Sequence, residues 1–555
     1  MRFMLALVAA GALVSQAAAR GPQAGAAQAS TPPLATAVDA VFARWTSETP
    51  GCAVGVSQAG APVLARAYGM ADLEHDVPNR ADTIFEAGSV SKQFTAAAVL
   101  LLARDGKLSL DDPVRKHVPE VPDYGVPLTI RHMLTHTSGL RDWGSVAAIG
   151  GWPRTTRVHT HAHVLDIVSR QRALNFAPGT RYSYSNTGYN LAAIIVGRVS
   201  GMPFVEFSRK RLFEPLGMTR TSWRDDHTRI VKDRAIAYAA EGRGYSIEMP
   251  FENVHGNGGL LTTVGDLLRW NEHLHAPTIW DEAFAREQQQ PGRFNDGRVH
   301  GYALGLRIST HKGVREVGHS GSTAGYRAHL VRYPDQRVSV AVLCNAGNAN
   351  AGRHAQDVAD LYLKPDLQTS SEEPPHRLSK NDAESVRGLY KHSQTGDTLS
   401  LAGEGETVRI DRGPQLVPRS GTRFSVPDGA MTLDLDGRTL RVTDPFGSVD
   451  VYERVERASP TPEQLRELEG RYSSDEAEVV AEIAVDQDRL VLKRRPAQRT
   501  MLLPLYADAF RGQIGVVRFH RDTSGRVTGF SVVQDRVWDM RFERITAIPR
   551  SPSAP

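Results

Sequence analysis

Cysteine is nearly absent from this chain: among 555 residues only Cys52 and Cys344 carry a thiol. Two thiols are too few for a disulfide scaffold or a zinc–thiolate site. One disulfide is the most they could form, and two buried free thiols are the simpler expectation. An excess of one charge is missing too. The net charge is +4, from 66 Lys+Arg against 62 Asp+Glu, which gives no reason to expect nucleic acid or an anionic membrane as a partner. Long apolar runs are confined to the N-terminus, where Phe3 to Val14 follows Arg2. That run is short, and Ala17-Ala18-Ala19 follows it closely, which is the pattern of a cleaved signal peptide rather than of a membrane span. The expectation is cleavage after Ala19, export to the periplasm or the medium, and no stable membrane insertion afterwards.

What is present is ordinary for a soluble globular protein, with 41% hydrophobic and 23% charged residues. The length exceeds what one core usually supports. Residues 20–33 are rich in Ala, Gly, Gln and Pro and read as a disordered leader. A large segment, 34–366, opens with strand-like runs at Cys52–Val56 and Val63–Tyr68. It continues through helical patterns at Leu191–Val199 and Phe204–Leu212, and closes with strands at Tyr326–Tyr333 and Val338–Cys344. Strands at both ends with helices between predict an α+β domain whose sheet joins the two ends. Gln368 to Lys380 reads as a polar linker. Beyond it, short alternating runs and turn signals such as Asp436-Gly437 predict small antiparallel β-barrel domains at 381–457 and 463–548. The two share features: Gly388-Leu389-Tyr390 resembles Gly470-Arg471-Tyr472, and Tyr452-Glu453-Arg454-Val455 resembles Phe542-Glu543-Arg544-Ile545.

The chemistry starts at Ser89-Val90-Ser91-Lys92, with Gly88 before it and the alanine-rich run Thr95–Ala103 after it. That run favours a helix, so Ser89 falls at its start and Lys92 one turn above. A serine hydroxyl needs a base to become a nucleophile, and a lysine is a base only when burial or nearby positive charge lowers its pKa. Tyr184-Ser185-Asn186 follows the turn Ala177-Pro178-Gly179-Thr180 and offers a phenol and an amide. Gly318-His319-Ser320-Gly321-Ser322 precedes a strand, and its glycines allow a close approach of backbone to a ligand.

In this order the motifs resemble those of the penicillin-recognising serine hydrolases: class C β-lactamases, DD-peptidases, D-aminopeptidases and related esterases. The flanking text matches as well, at Leu128–Leu140, at Phe213-Glu214-Pro215-Leu216-Gly217-Met218 and at Asn257-Gly258-Gly259-Leu260. The resemblance covers about the first two-thirds of the chain and implies the β-lactamase/transpeptidase-like fold, an antiparallel sheet flanked by helices. It implies Ser89 as the acylated nucleophile, Lys92 as its activator and Tyr184 as the proton shuttle. Asn186 would hold the substrate amide, His319, Gly321 and Ser322 would bind substrate, and the N–H groups of Ser89 and Ser322 would form the oxyanion hole. It implies no metal and no organic cofactor. In the family fold the N- and C-terminal strands share a sheet, which would bring Cys52 near Cys344.

His319 stands where many relatives carry lysine. An imidazole with a pKa near ~6.5 is mostly neutral at pH 7, so attraction of a substrate carboxylate at this position is weakened. That argues against the alternatives of an efficient class C-like β-lactamase or a strict DD-carboxypeptidase, and histidine at this position resembles the D-aminopeptidases and esterases of the family, which implies action on small amides, esters or D-amino-acid peptides. The other alternative, a non-catalytic penicillin sensor, is disfavoured because Ser89, Lys92 and Tyr184 are all retained. Two rivals carry less. Gly318–Ser322 nearly spells a nucleophile elbow but lacks its last glycine. His159, His161 and His163 with Asp166 invite a metal, but a solvated histidine-rich loop entering a helix is the better expectation.

Overall fold

The computed structural model describes residues 33–364, 366–367, 375–427, 431–445 and 447–545. The expected signal peptide, nearly all of the leader and most of the linker lie outside them.

The first body is built on a six-stranded antiparallel sheet. Its strands are β1 (Cys52–Gln58), β2 (Ala61–Tyr68), β3 (Arg307–His311), β4 (Val314–Thr323), β5 (Tyr326–Tyr333) and β6 (Val338–Cys344), in the order β3-β4-β5-β6-β1-β2. The early and late strands therefore meet at the centre, β1 against β6. Every residue of β6 is buried, because helices cover both faces of the sheet. The strands alternate between two cores. Cys52, Val54, Val56, Val338, Val340 and Val342 face one side, and Ala53, Ala341 and Leu343 the other, the period-two division of a pleated strand. Helices α1 (Pro33–Val41), α2 (Lys92–Arg104), α3 (Trp143–Ile149), α4 (Asn186–Ser200), α5 (Val264–His275) and α6 (Ala351–Leu363) supply most of the rest. α2 is buried from Lys92 through Leu102; a helix apolar all round belongs inside a core.

Cys52 and Cys344 sit directly opposite each other in the β1–β6 register and form a disulfide, leaving no free cysteine among the described residues. This corrects the expectation of two free thiols. Composition alone cannot pair two cysteines 292 residues apart; the strand register does.

Two β bodies follow. Residues 470–544 form a closed eight-stranded barrel. The strands between Gly388 and Val455 form an eight-stranded sheet that curls but does not close, where a second barrel was expected. Its two edges are two-residue strands, Arg409–Ile410 and Val417–Pro418. At the seam the Leu416 N–H donates to the Val408 carbonyl at 2.8 Å and the Ile410 N–H to the Pro414 carbonyl at 3.1 Å, around an isolated bridge between Arg409 and Gln415, but among the described residues the two edge strands form no ladder with each other. The two bodies share a local construction. The Tyr390 hydroxyl donates to the Val386 carbonyl at 2.6 Å, and Tyr472 donates to Leu468 at 2.7 Å. Arg454 and Arg544 each lie 5.9 Å over the respective tyrosine ring. The closed barrel docks on α3: Val146 and Ile149 enter its core, and Arg494 donates to the carbonyls of Ala148 and Ile149. Arg141 makes a buried ion pair with Glu476 of the barrel.

Candidate active site

Ser89 lies in a short 3₁₀ turn, Gly88–Ser91, that runs directly into α2. The turn presses against β4. A Cβ on Gly88 would lie 2.6 Å from the Ser322 nitrogen, and one on Gly321 would lie 2.0 Å from the Ala87 carbonyl oxygen. Gly88 also has φ +51°, which glycine adopts at least cost. Only glycine fits at either position, and the contact brings the Ser322 and Ser89 segments together as an oxyanion hole requires.

Lys92 begins α2 and is wholly buried. Its Nζ donates to the Asn257 carbonyl at 2.7 Å and to Asn186 Oδ1 at 2.9 Å, and lies 3.2 Å from Ser89 Oγ, where the lone pair of a neutral amine can accept the hydroxyl proton. Burial pushes the Lys92 pKa well below that of an ordinary lysine, and the guanidiniums of Arg536 and Arg154 push it further; Asp142 opposes them. Tyr184 reaches the same hydroxyl. Burial raises its pKa, while a hydrogen bond with Ser89 and the charge of Arg536 act in the other direction. Ser89 thus stands between an amine disposed to lose its proton and a phenol disposed to keep one.

Asn186 is the first residue of α4; its N–H donates to Asp142 Oδ2 at 2.8 Å. Asp142 also caps α3 through the Ser145 N–H. His319 sits in β4, buried. Its Nδ1 lies 2.6 Å from the Ser320 carbonyl and its Nε2 2.8 Å from the Tyr302 hydroxyl. A carbonyl only accepts, so Nδ1 carries the proton and Nε2 accepts from Tyr302. Burial, with Lys92 nearby, holds its pKa down to about 3. His319 is neutral at any physiological pH.

Ser89, Tyr184, Asn186, His319, Gly321 and Ser322 line one cavity of about 740 Å³; Lys92 does not line it but contacts Ser89 and Asn186 from behind. A larger cavity of about 890 Å³ lies where the three bodies meet, but none of Ser89, Lys92 or Tyr184 lines it. All seven residues singled out from the sequence therefore converge on one place.

The sequence reading did not single out several others. Asn257 appeared only as flanking text, yet its carbonyl accepts from Lys92 and its side chain from Asn190. A buried ion chain backs the site: Arg224 pairs with Glu86, two residues ahead of Gly88, and lies 3.8 Å from Glu252, which pairs with Arg154 on the pocket wall. Arg536 comes from the turn between the last two barrel strands, and its guanidinium lies 4.8 Å over the Tyr184 ring. No local signal marks Arg536, because its place depends on how the barrel docks. The rivals fall differently. Gly318–Ser322 lies within a strand of an antiparallel sheet, so it is no nucleophile elbow. His159 is buried rather than in a solvated loop, and His161 lies 3.0 Å from the His255 carbonyl. The histidines are not among the potential metal-binding groups of the described residues.

The fold and the Ser89–Lys92–Tyr184 cluster define a serine hydrolase. A model of the Beta-lactamase family matches residues 37–363, and the chain belongs to that family. It is 27% identical over 514 residues to a D-aminopeptidase of Brucella anthropi, covering 87% of this chain and 93% of the relative. It is 28% identical over 395 residues to a penicillin-binding protein of Bacillus subtilis (strain 168), covering 66% and 86%. Among solved structures, an octameric penicillin-binding protein homologue from Pyrococcus abyssi superposes with a TM-score of 0.54 at 24% identity, over 84% of this chain and 98% of that one. A D-amino acid amidase from Ochrobactrum anthropi SV3 does so at 0.51 and 23%, over 60% and 99%.

Proposed function

We propose that this protein is an exported hydrolase of small amides and esters that works through a Ser89 acyl-enzyme, with acyl groups of D-configured amino acids as its preferred class. The observation that carries the reading is the buried Lys92 amine 3.2 Å from Ser89 Oγ, in surroundings that favour its neutral form over the ammonium. The amine takes the hydroxyl proton as Ser89 attacks the carbonyl, and the developing oxyanion is met by the N–H groups of Ser89 and Ser322. Tyr184 delivers a proton to the departing amine or alcohol, and later orients the water that breaks the ester. Asn186 is placed to hold the substrate amide. The names of the similar proteins, D-aminopeptidase and D-amino acid amidase, support the D-configured class. The signal-like N-terminus supports export, and the Cys52–Cys344 disulfide suits an oxidising compartment.

The test is a hydrolysis panel with Ser89→Ala as control: D-Ala-p-nitroanilide, its L-enantiomer, short-chain p-nitrophenyl esters, a D-Ala-D-Ala peptide and nitrocefin. The reading expects Ser89-dependent turnover of esters and of D- over L-amides, with slow or no nitrocefin cleavage. Turnover that survives in Ser89→Ala, or a preference for L-substrates, would refute it.

A further inference from the structure

His136 packs against Tyr184 but takes no part in the proton transfers of Lys92 and Tyr184. It follows the short helix Ile130–Leu134 and is buried, only 1% exposed. Its backbone lies in the left-handed region, φ +58°, which a non-glycine residue seldom occupies and which persists where the surroundings enforce it. Two hydrogen bonds do so here. The Ser183 N–H donates to the His136 carbonyl at 2.9 Å, and the Ser185 N–H donates to His136 Nδ1 at 3.2 Å. Tyr184 lies between these two donors in the chain, so a single residue grips the backbone on both sides of it. The imidazole also lies against the phenol ring, with centroids 4.2 Å apart and planes at 33°. The rings of Tyr302, Tyr189 and Tyr182 surround it at 4.6, 5.3 and 5.8 Å. A backbone N–H only donates, so Nδ1 offers its lone pair and the ring proton resides on Nε2. Nε2 has no hydrogen-bond partner among the described residues. Burial and the positive charge of Lys92 hold the His136 pKa well below that of an ordinary histidine, which favours this neutral tautomer.

We infer that His136 is a positioning residue, which through its carbonyl and Nδ1 holds the Ser183–Ser185 backbone so that the Tyr184 hydroxyl meets Ser89 and the leaving group. The inference rests on the acyl-enzyme reading and extends the part that Tyr184 plays in it. Without an acceptor at the Nδ1 position the buried Ser185 N–H loses its partner, a cost that a shift of the segment relieves, and Tyr184 moves with the segment. A misplacement of about 1 Å in a reacting group can cost about 10²-fold in rate. The cost falls on one kind of substrate. A p-nitrophenolate departs as an anion, whereas an alkoxide or an amine departs only when a proton is delivered to it. Tyr184 out of place therefore slows poor leaving groups far more than good ones.

Ethyl butyrate and p-nitrophenyl butyrate give the same acyl-enzyme and differ only in the leaving group. The ratio of their kcat/KM values is measured on one preparation of each enzyme, so any loss of folded protein cancels. His136→Phe keeps a ring among the tyrosines and removes the acceptor. His136→Asn keeps an acceptor at the Nδ1 position, and asparagine tolerates a positive φ. The ethyl-to-p-nitrophenyl ratio should fall about tenfold or more in His136→Phe and stay within about threefold of wild type in His136→Asn. A ratio that is unchanged in His136→Phe, or that falls as far in His136→Asn, overturns the assignment and leaves the hydrolase reading intact. Where circular dichroism shows that His136→Phe does not fold, His136→Asn decides alone: a retained ratio supports the assignment and a fall of about tenfold overturns it. Wild type that cleaves the p-nitrophenyl ester in a Ser89-dependent way but not the ethyl ester lacks the proton delivery that His136 is held to serve, and this too overturns the assignment. Absence of Ser89-dependent turnover with either ester rejects the hydrolase reading and the assignment with it.

Discussion

Lys92 has to donate hydrogen bonds and still be able to accept a proton. It reconciles these through burial: with no water around it the ammonium form is disfavoured, and Arg536 adds repulsion. The pH dependence follows. Lys92 acts as a base only when neutral, so kcat/KM rises with pH through its pKa, and this limb lies below the range of an ordinary lysine. Removing the positive charge of Arg536 raises that pKa. In Arg536→Gln the limb should therefore move to higher pH, measured with a neutral p-nitrophenyl ester; a limb that stays put or moves down contradicts the electrostatic account. His319 supports a second prediction. Its Nε2 is taken by Tyr302, so β4 presents no cation where many relatives have one. His319→Lys should raise acylation by a fluorescent penicillin, and unchanged labelling would count against this explanation of specificity. At this scale the sequence was highly legible. Ser89 and Lys92 are one helical turn apart, and Tyr184, Asn186, His319, Gly321 and Ser322 fall in short motifs whose spacing is local. Arg536, Asn257 and Tyr302 were not legible, since each reaches the site through tertiary packing.

Among the elements, the contact between the Gly88–Ser91 turn and β4 matters most. Helix α2 could start at Lys92 in many proteins, but an oxyanion hole requires two separate backbone segments to touch. Gly88 and Gly321 permit that; Gly321 could be read in the sequence as a point of close approach, whereas Gly88 could be read only as the residue before Ser89. A Cβ at position 321 would collide with the Ala87 carbonyl, and the backbone must shift to admit it. Gly321→Ala should lower kcat/KM for p-nitrophenyl esters by about 10²–10³, the usual cost of a lost oxyanion donor, with circular dichroism retaining the native spectrum. Near-wild-type activity would mean that β4 does not form the hole. Helix α3 has a different task. It offers Val146 and Ile149 to the barrel and the Asp142 N–H to the Arg536 turn, so one short helix sets the position of a guanidinium from another body. The alternating strands of the C-terminal region were legible as barrels, but closure was not: whether a sheet seals depends on two edge strands of two residues each.

Over the whole molecule, two features govern stability. The disulfide closes a loop of 292 residues, which in the chain-entropy account stabilises the fold by on the order of 5 kcal/mol. The buried histidines make stability pH-dependent. Burial holds His319 down to about 3, and His273 and His300 down to about 4. In the unfolded chain each titrates near ~6.5. As pH falls from about 6.5 toward 4 the unfolded state takes up protons that the native state refuses. Stability should therefore decline across that window, by about 1.4 kcal/mol per pH unit for each such histidine. Urea unfolding at pH 7.5, 6 and 5 measures this, and a flat profile would contradict the neutral, buried assignment. The pairing of the chain's early and late strands was readable from strands at both ends of the large segment. The pairing of the two cysteines was not readable from the residues alone, because it depends on which residues of β1 and β6 face each other.

The central claim is that Ser89 carries the acyl group, and peptide-resolved mass spectrometry of enzyme quenched during turnover of a p-nitrophenyl ester measures it directly. The account predicts a single acyl adduct on the peptide containing Ser89, absent in Ser89→Ala together with turnover. An adduct on another residue, or turnover that persists once the Ser89 oxygen is removed, would contradict it.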